Sequence, residues 1–157
     1  MISVKSSFSG RRCQILCSAF FLSLALAQSY AEELKIEAKL LWATNDETSP
    51  NPKHKKVSEE LAAKLRKIPF KWKNYFEENR VTGVIPSRQV KQFKMSDQCT
   101  LEITELAGPN VEVKLIGEGK PVNKTIKALS KGEFFTIGGD GKNGSAWLII
   151  VTQIDNP

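Results

Sequence analysis

KLRKIPFKWKNYF, Lys64 to Phe76, is where one periodicity stops and another starts. Upstream of it, Val57, Leu61, Leu65 and Ile68 fall on one stripe of a helix. Ser58 is placed to cap that helix. Glu59 and Glu60 lie in its first turn and Lys64, Arg66 and Lys67 in its last, so both ends suit the helix dipole. Pro69 disfavours helical geometry at Ile68. The pattern predicts one short helix over Ser58–Lys67. From Phe70 the period becomes two: Phe70, Trp72, Asn74 and Phe76 alternate with Lys71, Lys73, Tyr75 and Glu77, the pattern of a strand.

The rest of the chain repeats that second period. Leu34, Ile36, Ala38, Leu40 and Trp42 alternate with Lys35, Glu37 and Lys39. Asn45–Lys56 is a polar loop holding Pro50 and Pro52. Short apolar runs follow at Val81–Ile85, Val90–Met95, Cys99–Leu106, Val111–Ile116 and Val122–Leu129, punctuated by turn residues. Phe134–Ile137 and Ala146–Thr152 read as a closing hairpin around the loop Gly138–Gly144. AWLIIVT, apolar on both faces, should be an inner strand. Trp147, Ile149 and Val151 form its inward row, with Ile36, Val113 and Leu115 as neighbours. The expected fold is mainly β, a sandwich or open barrel of seven to nine short strands with one helix. The alternative is an α+β domain with the helix across a sheet face.

Residues 1–31 read as an export signal. Lys5, Arg11 and Arg12 precede the uncharged run Ile15–Ala27, and Ser29-Tyr30-Ala31 offers small residues before Glu32. The run of thirteen residues is short of the ~20 a membrane span needs. Cleavage near Ala31 leaves one domain, 32–157, with no span of its own, destined for the periplasm or the extracellular space, with a monomer as the expected state. That length is enough for a core without metal or disulfide staples. Only Cys99 remains, so no internal disulfide forms.

The formal charge of +6 is unevenly spread. Lys53–Lys94 holds twelve basic and four acidic residues, between flanks that are mildly acidic. Lys71, Lys73 and Tyr75 share one face of the expected strand, with Lys67 just upstream. Cations and an aromatic ring on one surface suit an acidic protein or an anionic envelope polymer. These four residues are the candidate binding site. The plainer account is a solvated face, with Lys67 there for the helix dipole. Nucleic acid is not an expected partner.

Catalytic and cofactor signatures fail on context. Gly139–Gly144 matches G-x-G-x-x-G, but a strand follows where a dinucleotide site needs a helix to begin. Its lysine and last glycine stand where a calcium loop needs oxygen ligands. His54 is the only histidine, so a zinc site would need Cys99 and distant carboxylates. Cys99 shares parity with Leu101 and Ile103 and reads as a buried inert thiol. No nucleophile elbow or ordered triad occurs. Asn123 and Asn143 begin glycosylation sequons, relevant only in a eukaryotic host. No cofactor or metal is expected, and the function expected is a non-enzymatic binding or accessory module. The alternative is a small exported hydrolase using carboxylates or a serine.

LRKIPFKWKNYFEEN, CTLEITEL, NVEVKLIGEGKPVNKTIKAL, KGEFFTIGGD and AWLIIVTQ together resemble, in order, a group of small exported bacterial proteins of verrucomicrobial type. The resemblance spans about 34–153. It implies a bacterial envelope location and a single β-rich domain. That group carries no assigned activity, so no catalytic or binding residue transfers.

Overall fold

Strand β1, Leu34–Thr44, shows why the chain forms layers rather than one two-faced sheet. Ile36, Ala38 and Leu40 are buried on one side, while Leu41 and Ala43 are buried on the other. A strand buried on both faces must lie inside a three-layer arrangement. The computed structural model describes residues 33–106 and 108–155. The expected export signal, 1–31, lies outside the described residues.

The described chain continues through β2 (Lys55–Lys56), α1 (Glu59–Arg66), β3 (Asn74–Ile85), β4 (Val90–Lys94) and β5 (Cys99–Glu105). It then forms β6 (Asn110–Gly117), β7 (Lys120–Ala128), β8 (Phe134–Asp140) and β9 (Ala146–Gln153). Five strands make one antiparallel sheet in the order β2-β3-β1-β9-β8, and four make a second in the order β4-β5-β6-β7. The mainly β sandwich-like expectation holds. So does the packed helix of the alternative: α1 sits on the outer face of the five-stranded sheet.

Two cores result. The inner one lies between the sheets and joins Ile36, Ala38 and Leu40 to Leu101, Ile103, Val113, Leu115, Ile149 and Val151, with Trp147 packed at its margin. The outer one gathers Leu41, Ala43, Tyr75, Ala146, Leu148 and Ile150 around Leu65 of α1. The helix forms as the capping pattern dictates: the Ser58 hydroxyl accepts the Leu61 N–H, and Lys67 is the C-cap. β9 is an inner strand, between β1 and β8.

The expected start of β3 needs correction. The strand begins at Asn74, not Phe70. Residues 67–73 form an irregular strap. The Phe70 N–H donates to the Ile68 carbonyl at 2.6 Å, an i to i+2 turn about Pro69, whose ring fixes a compatible φ. The Lys73 N–H donates to the Asn45 side chain at 3.1 Å, so a loop amide stands in for a neighbouring strand. β3 is also bulged: Leu40 lies opposite Asn79 and Leu41 opposite Glu77, leaving Glu78 without a partner. The bulge resets the phase, which is why Phe70–Glu77 and Val81–Ile85 read as separate segments in the sequence.

Among the described residues no helix is long and apolar enough to cross a membrane.

Candidate functional site

The strap runs over the outer face of the five-stranded sheet, and a groove of about 550 Å³ lies between the two. Pro69, Phe70, Lys71 and Trp72 line it from the strap; Thr136, Gly138, Gly139 and Asp140 from β8; and Leu148 from β9. It is an open groove in which Phe70 and Trp72 lie beside the polar side chains of Lys71, Thr136 and Asp140. The Phe70 and Trp72 rings stand 6.0 Å apart at 51°. The Lys71 ammonium lies 5.1 Å from the centre of the Trp72 ring, within cation–π range. The Trp72 indole N–H donates to the Gly144 carbonyl at 2.7 Å, which fixes the ring against the turn joining β8 and β9.

That turn explains the glycine-rich run. Lys142–Gly144 is a single 3-10 turn in which Asn143 and Gly144 take left-handed φ of 57° and 75°. A strand follows it, so the run is a hairpin connection. Gly138 and Gly139 lie within β8 itself. A Cβ on Gly138 would sit 2.7 Å from the Trp147 carbonyl oxygen and collide with Leu148, and one on Gly139 would sit 2.7 Å from the Trp147 ring. Bare backbone therefore forms part of the groove floor.

Of the four residues expected to bind, Lys67, Lys71 and Lys73 are exposed and none makes an ion pair among the described residues. Lys71 lines the groove; Lys67 and Lys73 do not. Tyr75 is a correction. It is 1% exposed, lies opposite Ala43 and belongs to the outer core. Its hydroxyl donates to the Trp72 carbonyl at 3.0 Å. Burial pushes its pKa up, with Arg66 opposing. The parity that put it beside Lys71 and Lys73 assumed a strand from Phe70, and the strap breaks that parity. Sequence reading also missed Thr136, Gly138 and Asp140 as lining residues. The available signal was a glycine pair inside a strand-forming run, which marks close approach to backbone.

Ser49 Oγ lies 2.8 Å from His54 Nδ1. The Asn51 side-chain oxygen Oδ1 accepts the Lys53 N–H at 3.0 Å, so the Asn51 side-chain nitrogen Nδ2 faces His54 Nε2 at 3.1 Å as a donor. Nε2 is then the acceptor, and Nδ1–H donates to Ser49. The imidazole lone pair points away from the serine, the reverse of what a general base needs. A second groove, of about 520 Å³, lies at one end of the sandwich and contains Glu33, Ser87 and Glu105. There one Glu105 oxygen accepts both the Ser87 hydroxyl and the N–H of Arg88, whose φ of 58° it stabilises. Cys99 is half-buried, and burial first, then Glu78, pushes its pKa up and keeps the thiol protonated. Among the described residues no three His, Cys, Asp or Glu side chains converge as metal ligands would.

No family model, no curated protein and no solved structure matches this chain.

Proposed function

We propose that the protein is an exported, non-enzymatic binding module of the bacterial envelope, acting in the periplasm or outside the cell after loss of the segment ending near Ala31. Its ligand class is a protein or envelope polymer that carries anionic groups. One observation carries the reading: Lys71 stacks on Trp72 at the lip of an aromatic groove, and neither it nor the flanking Lys67 and Lys73 has an acidic partner among the described residues. Cations left unpaired beside a concave aromatic surface attract anions at long range and hold them at short range. What weighs against the hydrolase alternative is that the paired serines, Ser49 and Ser87, face respectively a donating Nδ1–H and a carboxylate already held by a backbone N–H.

The test is charge reversal. Lys71→Glu with Lys73→Glu leaves the unfolding free energy within about 0.5 kcal/mol of wild type, since both side chains are exposed. It abolishes salt-sensitive retention on immobilised heparin, because such attraction is screened over ~10 Å at 0.1 M salt. Retention that survives the double substitution overturns the reading.

A further inference from the structure

The four sheet edges are not equally guarded. β2 is two residues long, both lysine. β4 is five residues with Lys91 and Lys94. β7 is longer, but it holds Pro121, a bulge at Val122, and Lys120, Lys124 and Lys127. Short length, lysines, proline and bulges are the means by which natural sheets stop their edges from pairing with other chains. β8, FFTIGGD, has seven residues and none of these. Its register with β9 is unbroken from Phe134 to Asp140. Among the described residues its backbone pairs with β9 alone.

This unguarded edge borders the groove proposed above to be a binding site, and the inference rests on that reading. We propose that β8 takes an added strand: an extended segment of a partner protein pairs along Thr136–Asp140 and places alternate side chains in the groove, one apolar against Phe70 and Trp72 and one acidic at Lys71. Main-chain pairing supplies affinity that does not depend on sequence, and the pocket for alternate side chains supplies selectivity. Gly138 suits this use, because it brings exposed backbone to the groove without a side chain in the way. A uniform polyanion fits less well, because Asp140 lines the same groove and repels it. A peptide can put its acid at Lys71 and a neutral residue at Asp140.

A displayed library of random nonapeptides is panned against the purified protein, and an enriched peptide is synthesised. The expected peptide alternates apolar residues with others and carries one acidic residue. Lys71→Glu weakens its binding at least about tenfold, and exchanging the peptide's acid for lysine restores it. Methylating the peptide's backbone nitrogens one at a time abolishes binding at every second position, the mark of one strand edge facing β8. Failure to enrich any peptide, or even tolerance of N-methylation along the peptide, overturns strand addition. If heparin retention is still lost on reversing Lys71 and Lys73 in that case, the anion-binding reading stands and the strand-addition inference falls alone. A concentration-dependent dimer of the unliganded protein, paired through β8, also overturns it, in favour of a second copy as the occupant.

Discussion

The Trp72 indole nitrogen and the Gly144 carbonyl oxygen are 2.7 Å apart, joining the strap after α1 to the β8–β9 turn across seventy-two residues of chain. This hydrogen bond anchors Trp72, a residue of the groove lining, to the turn that follows β8. Trp72→Phe keeps most of the ring but removes the donor. Its cost should be about 0.5–1.5 kcal/mol, at the lower end because water can reach the freed carbonyl. Urea denaturation should show a lower midpoint with an unchanged slope. A fall in the slope would mean that the strap unfolds with the loss of that bond.

Gly138 is required by packing rather than by a special backbone angle. A methyl group there meets the Trp147 carbonyl oxygen at 2.7 Å, and a main-chain oxygen in an inner strand cannot swing aside. Gly138→Ala should therefore cost about 1–3 kcal/mol, the range for forced overpacking. Wild-type stability in this variant would show that β8 can move away from β9 freely.

Much of the fold is legible in the chain, and the failures have one cause. AWLIIVT reads as an inner strand because both of its faces are apolar, and the two faces serve two cores: Ile149 and Val151 the inner, Leu148 and Ile150 the outer. The helix is legible from Ser58 to Lys67 because capping is local chemistry. The strap is not, since apolar residues at every second position are also what a strap pressed against a sheet displays. Only Asn45, twenty-eight residues away, reveals that the Lys73 N–H lacks a strand partner. β7 misleads in the opposite way. Val122 and Ile126 look like core residues, yet they are 61% and 60% exposed. The positions facing Leu115, Val113 and Val111 are Asn123, Thr125 and Lys127. Nothing in a local pattern says that a strand has no layer above it.

The two cores make separate stability predictions. Ile149 is fully buried between the sheets and Leu65 fully buried under the helix. Each replaced by Ala should cost about 2–5 kcal/mol. A loss below about 0.5 kcal/mol for Ile149→Ala would mean that β9 is not an inner strand. The same result for Leu65→Ala would mean that α1 is not seated on the sheet.

The Ser49–His54 pair bears on function. With Asn51 anchored by the Lys53 N–H, neutral His54 should carry its proton on Nδ1. Nitrogen-15 chemical shifts of the imidazole distinguish the two tautomers directly. Ser49→Ala should leave heparin retention unchanged, because the loop lines neither groove. A proton on Nε2 instead would aim the Nδ1 lone pair at Ser49 and restore the serine–base arrangement that a hydrolase requires.

The exposed face of the four-stranded sheet carries a pH prediction. Gln92 donates to one oxygen of Glu102 at 2.7 Å, and Lys114 donates to the other at 3.2 Å. The Gln92 hydrogen bond, followed by that of Lys114, holds the Glu102 carboxyl below its ordinary range, with desolvation opposing. A carboxyl whose pKa is lower folded than unfolded binds more protons in the unfolded chain. Its stabilisation is therefore full above the unfolded pKa of about 4.3 and is lost as pH falls through the lower folded value. Glu102→Gln should cost less than about 1 kcal/mol at neutral pH, as expected for a pair near the surface. The difference from wild type should shrink below about pH 4, where the wild-type carboxyl is itself becoming protonated. Stability curves of the two proteins that run parallel down to low pH would show that Glu102 draws nothing from Gln92 and Lys114 beyond what it has in the unfolded chain.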